Sequence, residues 1–299
     1  MSGLKGCGTA LVTPFTATGA VDEPGLLGLV EWQVESGIDF LVACGSTGEA
    51  ATLSADERQR VVSLVVRTAA GRIPVVAGAT ASATAEAVEE ARRMSALGVS
   101  GLLVSSPPYN RPSAEGLIRH FEAVADVAEV PICLYNVPGR SGVNLKPETV
   151  LRLAQHGNIT GIKESSGDLS QVQHLLLGRP DGFAVICGED WLTLAVMAAG
   201  GDGLISVASN EIPAEMTALV AAAGAGDLEG AREIFFAILP LLEANFLESN
   251  PAPVKAALAA MGRIGDAVRL PLVPLSHSKR GALHAALRAA GVHLTMSEG

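Results

Sequence analysis

What most narrows the folds open to this chain is a texture repeated eight times between residues 8 and 207: a short apolar run, a polar turn, then a longer helical pattern. The apolar runs at residues 8–15, 40–45, 74–78, 101–105, 131–136, 159–163, 183–188 and 203–207 read as strands. They are continuous rather than alternating, as strands are when helices cover a parallel sheet. Helical patterns follow at 25–36, 55–70, 83–97, 114–128, 147–155, 169–177, 191–199 and 213–223. Ser54 with Glu57 three residues on reads as a capping box, and Ser113 opens the fourth helix. Eight such units joined by right-handed crossovers close into an α/β fold of the (β/α)8, or TIM-barrel, type. A doubly wound open sheet is the alternative.

The strand texture stops after the eighth unit, and residues 227–245, 253–261 and 276–290 read as helices. The expected division is a catalytic barrel at 1–225 and a C-terminal helical appendage at 226–299. Pro240 should kink or split the first appended helix, because it removes an N–H donor and crowds the preceding turn. A linker at 248–253 separates that helix from the next, and the last residues, 296–299, are expected to fray.

With 299 residues, 48% of them hydrophobic and 17% charged, the chain can bury a large core. The 31 acidic residues outnumber 21 basic ones, for a net charge of −10 without a basic cluster, which argues against nucleic acid as a partner. The apolar runs are far shorter than the roughly 20 residues a spanning helix needs, so no membrane association is expected. The first residues lead into a strand without a signal-peptide pattern, and a cytoplasmic protein is expected. Cys7, Cys44, Cys133 and Cys187 are widely spaced, lack zinc-site spacing and read as reduced core residues.

Lysine is scarce, at positions 5, 146, 163, 255 and 279 only. Lys163 ends the β-branched run Ile159-Thr160-Gly161-Ile162 and precedes a polar, glycine-containing turn. Taken alone, it is a strand-end lysine whose head reaches solvent. In a barrel, however, chemistry belongs to the loops at the C-terminal strand ends, and this chain's distinctive polar residues gather there. Gly45-Ser46-Thr47-Gly48-Glu49 follows the second strand, Tyr109-Asn110-Arg111 the fourth, Tyr135 and Arg140 the fifth, Gly188-Glu189-Asp190 the seventh, and Ser206 the eighth. Both tyrosines of the chain are in this set.

Each has a bland reading: an ordinary turn, packed aromatics, a solvated loop arginine. Each also has a chemical one. Small residues at 45–48 leave backbone N–H groups free to cradle a carboxylate, and an arginine can hold another through paired hydrogen bonds. Tyrosine and serine hydroxyls relay protons because they both donate and accept. A buried lysine favours its neutral form, and a neutral amine attacks a carbonyl to give a Schiff base. Glu164, Glu189 and Asp190 lack a histidine at ligand spacing, so no metal or other cofactor is expected.

With these residues assembled, the chain resembles the dihydrodipicolinate synthase/N-acetylneuraminate lyase family of Schiff-base-forming (β/α)8 enzymes. The resemblance runs through Val12-Thr13-Pro14-Phe15, Gly45 to Glu49, Tyr135-Asn136-Val137-Pro138, Gly161-Ile162-Lys163-Glu164, Asn250 to Lys255 and Leu270-Pro271-Leu272. It implies that Lys163 forms a Schiff base with pyruvate and that Thr47, beside Gly45, holds the pyruvate carboxylate. It also implies that Tyr135, Ser46 and Tyr109 relay protons, Tyr109 reaching across a dimer interface, and that Gly188 and Ile205 line the site. Arg140 points to the synthase side of the family, where an arginine here binds the carboxylate of L-aspartate 4-semialdehyde. Ser46, where the synthases usually carry threonine, is common among the lyases. A pyruvate-dependent aldolase acting on a sugar acid or keto acid is therefore the runner-up, and a non-catalytic binding barrel a third reading. The usual assembly implied is a homotetramer of two dimers. Ala55, Arg58, Ser82 and Pro108 replace polar residues of the family's lysine-inhibition pocket, of which Glu86 is kept, so feedback by lysine is expected to be weak or absent.

Overall fold

The computed structural model describes residues 4–295, which form eight strands and twelve α-helices. The strands β1 (Gly6–Ala10), β2 (Phe40–Ala43), β3 (Val75–Gly78), β4 (Gly101–Ser105), β5 (Ile132–Asn136), β6 (Ile159–Glu164), β7 (Ala184–Cys187) and β8 (Gly203–Ser206) pair in sequence order. All pairings are parallel, and β8 returns to β1, so the sheet closes into a barrel rather than the open alternative. The helices are α1 (Glu23–Glu35), α2 (Ala55–Ala69), α3 (Thr84–Ser95), α4 (Ala114–Ala125), α5 (Pro138–Ser141), α6 (Pro147–Leu153), α7 (Leu169–Gly178), α8 (Thr193–Ala198), α9 (Pro213–Gly224), α10 (Leu228–Ala244), α11 (Ala252–Ala260) and α12 (His277–Ala289). The expected tail at 296–299 lies outside the described residues.

Strand periodicity sorts the core into two layers. Phe40, Val42, Val76, Leu103, Cys133, Tyr135, Ile186 and Ile205 fill the barrel interior. The alternate strand residues Leu41, Leu102, Leu134, Ile162, Val185 and Leu204 face the helices. Both layers are apolar, which is why the strands read as unbroken hydrophobic runs.

Three local expectations are corrected. The first strand ends at Ala10 rather than continuing to residue 15. Beyond it, Asn210 Oδ1 accepts the Val12 N–H and Thr13 donates to the Gly48 carbonyl, so side chains and loop carbonyls replace the ladder. The helix α10 is not split at Pro240 but continues through it. Its apolar face, with Phe235, Ile238, Leu241 and Leu242 buried, holds the helix together across the missing donor. The segment after β5 is not only a turn: Pro138 at the first helical position and Gly142 (φ +79°) just past the end frame the single-turn α5 that carries Arg140. The capping box at Ser54 and Glu57 and the Ser113 cap both form.

Candidate active site

Parallel strands put all eight C-terminal ends at one mouth of the barrel. Tyr135 on β5 and Lys163 on β6 are register partners, so both side chains point into the interior at the same level. Lys163 Nζ lies 4.6 Å from the centre of the Tyr135 ring, and only 4% of Lys163 is exposed. The solvated strand-end reading of this lysine is thereby excluded. Gly188, just past β7, closes the other side. A Cβ there would come within 2.8 Å of Lys163 Cε and 1.9 Å of Ser165 Oγ. Ile205, fully buried on β8, completes the interior wall.

The turn after β2 supplies polar groups to the same mouth. Thr47 is buried, while Gly45 and Ser46 are half-buried beside it. Gly48 is required by close approach, since a Cβ would sit 3.0 Å from the Leu11 carbonyl oxygen. Arg140 is exposed on α5, and its Nη2 donates to the carbonyl of Asn250 at 3.3 Å. Asn250 in turn donates from Nδ2 to Thr47 Oγ1 at 2.9 Å. Tyr109 stands apart from this group, 91% exposed on a backbone with φ +77° and tethered by its N–H to the Ser141 carbonyl. Such a conformation in a bulky residue is costly and persists only where the surroundings hold it.

The carboxylates have distinct work. Glu164 accepts from Asn136 Nδ2, the Ser166 N–H and Gln171 Nε2, which pins the end of β6. Asp190 accepts the Val207 and Ala208 N–H groups and ties the β7 and β8 loops together, while burial pushes its pKa up. Glu189 is the exception. Burial pushes it up to about 7 against the opposing pull of Lys163, with Arg140 and Ser165 also lowering it. Among the described residues, no group of three His, Cys, Asp or Glu side chains is arranged to hold a metal ion.

Sequence reasoning missed Asn250 as part of this mouth, placed Glu189 at a strand end but weighed it only as a metal ligand, and missed a second buried lysine. Lys255 is fully buried on α11, where it donates to Glu49 Oε1 at 2.5 Å and to the Ala267 carbonyl at 2.9 Å, above the Phe15 ring. One signal was available. A lone charge inside the apolar helix Ala252–Ala260 needs a buried counter-charge.

A closed (β/α)8 barrel with a buried amine at the end of its sixth strand, flanked by a tyrosine, is the architecture of barrel enzymes that work through a Schiff-base lysine. The model of the dihydrodipicolinate synthetase family matches residues 3–290. A 4-hydroxy-tetrahydrodipicolinate synthase of Koribacter versatilis is 51% identical over 290 residues, covering 97% of each chain. One from Acidobacterium capsulatum is 52% identical over 282 residues, covering 94% of this chain and 93% of its own. The crystal structure of the chloride-inhibited dihydrodipicolinate synthase from Acinetobacter baumannii complexed with pyruvate superposes with a TM-score of 0.96 at 42% identity, over 97% of this chain and 100% of that one. The chain belongs to the dihydrodipicolinate synthetase family.

Proposed function

We propose that this chain is a class I synthase that condenses pyruvate with L-aspartate 4-semialdehyde to give 4-hydroxy-tetrahydrodipicolinate, the entry to diaminopimelate and lysine synthesis. The observation that carries this reading is Lys163 itself: buried, inward-facing, against the Tyr135 ring and with Gly188 leaving room at its stem. The names of relatives that match nearly end to end support the synthase over the sugar-acid lyase.

In this mechanism the neutral Lys163 amine adds to the keto carbon of pyruvate, and loss of water gives the iminium. Thr47 and the backbone N–H groups of its turn hold the pyruvate carboxylate. Removal of a methyl proton through the hydroxyls of Tyr135 and Ser46 gives the enamine, whose carbon attacks the aldehyde of the second substrate. Arg140 holds that substrate's carboxylate. The new alkoxide takes up a proton, and the substrate's own amine then displaces Lys163 as the ring closes.

Tyr109 serves the site of a second copy in this reading, and a homotetramer built from two such dimers is the proposed assembly. Its extreme exposure and held, unfavourable backbone support a role outside its own barrel. Free, buried thiols at all four cysteines fit a cytoplasmic setting. A coupled assay comparing aspartate semialdehyde with N-acetylneuraminate and keto-deoxy sugar acids tests the substrate. Arg140→Ala should cripple use of aspartate semialdehyde while pyruvate enamine still forms. Equal use of the aldehyde by the variant would sink the synthase reading.

A further inference from the structure

The linker between α10 and α11 reaches back across 203 residues of sequence to the turn after β2. Asn250 does this from a buried position, with 4% of its surface exposed. A threonine hydroxyl has one proton and two lone pairs. Because Asn250 Nδ2 fills one lone pair of Thr47 Oγ1, the Thr47 proton is not drawn toward Asn250 and is left to donate elsewhere. A donor is what an incoming carboxylate oxygen requires. The carbonyl of the same Asn250 accepts from Arg140 Nη2. One residue of the appendage thus holds two groups on different loops, one assigned to each substrate.

We infer that Asn250 is a positioning residue of the active site: its side-chain amide orients the Thr47 hydroxyl as a donor to the pyruvate carboxylate, and its backbone carbonyl tethers the Arg140 guanidinium. This rests on the proposed synthase reading. It makes a split prediction, because a side-chain substitution removes the amide and leaves the carbonyl in place. Pyruvate binding should suffer, and binding of the second substrate should not.

The test is borohydride trapping of pyruvate on the full-length protein as a function of pyruvate concentration, with KM for aspartate semialdehyde measured at saturating pyruvate. Asn250→Leu keeps the shape and removes the donor. Its half-saturating pyruvate concentration should rise about tenfold, with full trapping at saturation and a change of less than about twofold in the aldehyde KM. Thr47→Val should give a similar rise, and the double variant should be no worse than Thr47→Val alone, because Asn250 acts on pyruvate only through that hydroxyl. If Asn250→Leu does not melt cooperatively, Asn250→Ala takes its place in the same cycle.

An unchanged pyruvate dependence in the Asn250 variants, or multiplying effects in the double variant, would overturn the inference while leaving the synthase reading intact. Wild-type protein that traps no pyruvate at any concentration would overturn both.

Discussion

Gly188 shows how tightly a single position constrains the proposed chemistry. Any side chain there meets the Lys163 stem at 2.8–3.0 Å as well as Ser165, and the lysine has Tyr135 on its other side. Gly188→Ala should therefore displace the amine and lower kcat/KM by about 100-fold, a loss that steady-state kinetics would register and that unchanged kinetics would refute. Glu189 gives a pH-dependent counterpart. Its folded pKa of about 7 lies above the ordinary 4.5, so the folded state binds more protons than the unfolded between those values. The group costs nothing below pH 4.5, its penalty grows as pH rises to about 7, and the full penalty persists above. Glu189→Gln should gain stability at pH 8 relative to wild type, by at most about 3 kcal/mol, and much less at pH 5; thermal melts at the two pH values would read the difference. Lys163 and Tyr135 stood out in the sequence because scarce residue types fall at strand ends, and Arg140 because it follows a Pro-Gly turn in the loop after the fifth strand. Asn250 did not, because an asparagine in a linker looks ordinary until the fold sets it beside Thr47, and Glu189, though placed at a strand end, showed no sign of the burial that raises its pKa.

At the scale of elements, the barrel's units were readable because each strand is apolar on both faces and most helices carry ordinary start and stop signals. The misreadings came where tertiary bonds overrode local pattern. Residues 11–15 keep strand-like composition, but their polar groups are taken up by Asn210 and Gly48. The ion pair between Glu49 and Lys255 joins the turn after β2 to α11, and the Arg269 N–H also donates to Glu49, at 3.1 Å. Burial pushes the Lys255 pKa down to about 8 against the attraction of Glu49. Removing one partner leaves the other charge buried, so Lys255→Met should destabilise by about 3–5 kcal/mol, and adding Glu49→Gln should restore part of it. Denaturant unfolding of the three variants would measure this, and a Lys255→Met protein as stable as wild type would contradict it.

Across the whole molecule, the appended helices are bonded into the mouth of the barrel by Asn250, Lys255 and Arg269, which donates through paired bonds to Glu57. We propose the division at residue 225 as one of sequence texture rather than of independent function: residues 1–225 expressed alone should lose pyruvate trapping, and trapping by that fragment would refute this. Regulation belongs to the same scale. Arg58 stands where lysine-inhibited relatives are expected to carry a polar pocket residue, and here it is engaged by Glu90 at 2.6 Å and the Leu53 carbonyl at 2.9 Å. Millimolar lysine should leave the purified enzyme's activity nearly unchanged, and strong inhibition would overturn that expectation. The most direct measurement remains the covalent one. Borohydride reduction in the presence of pyruvate, followed by peptide mass mapping, should place a single reduced pyruvate adduct on Lys163 and none on Lys255; no adduct, or one on another lysine, would contradict the Schiff-base mechanism.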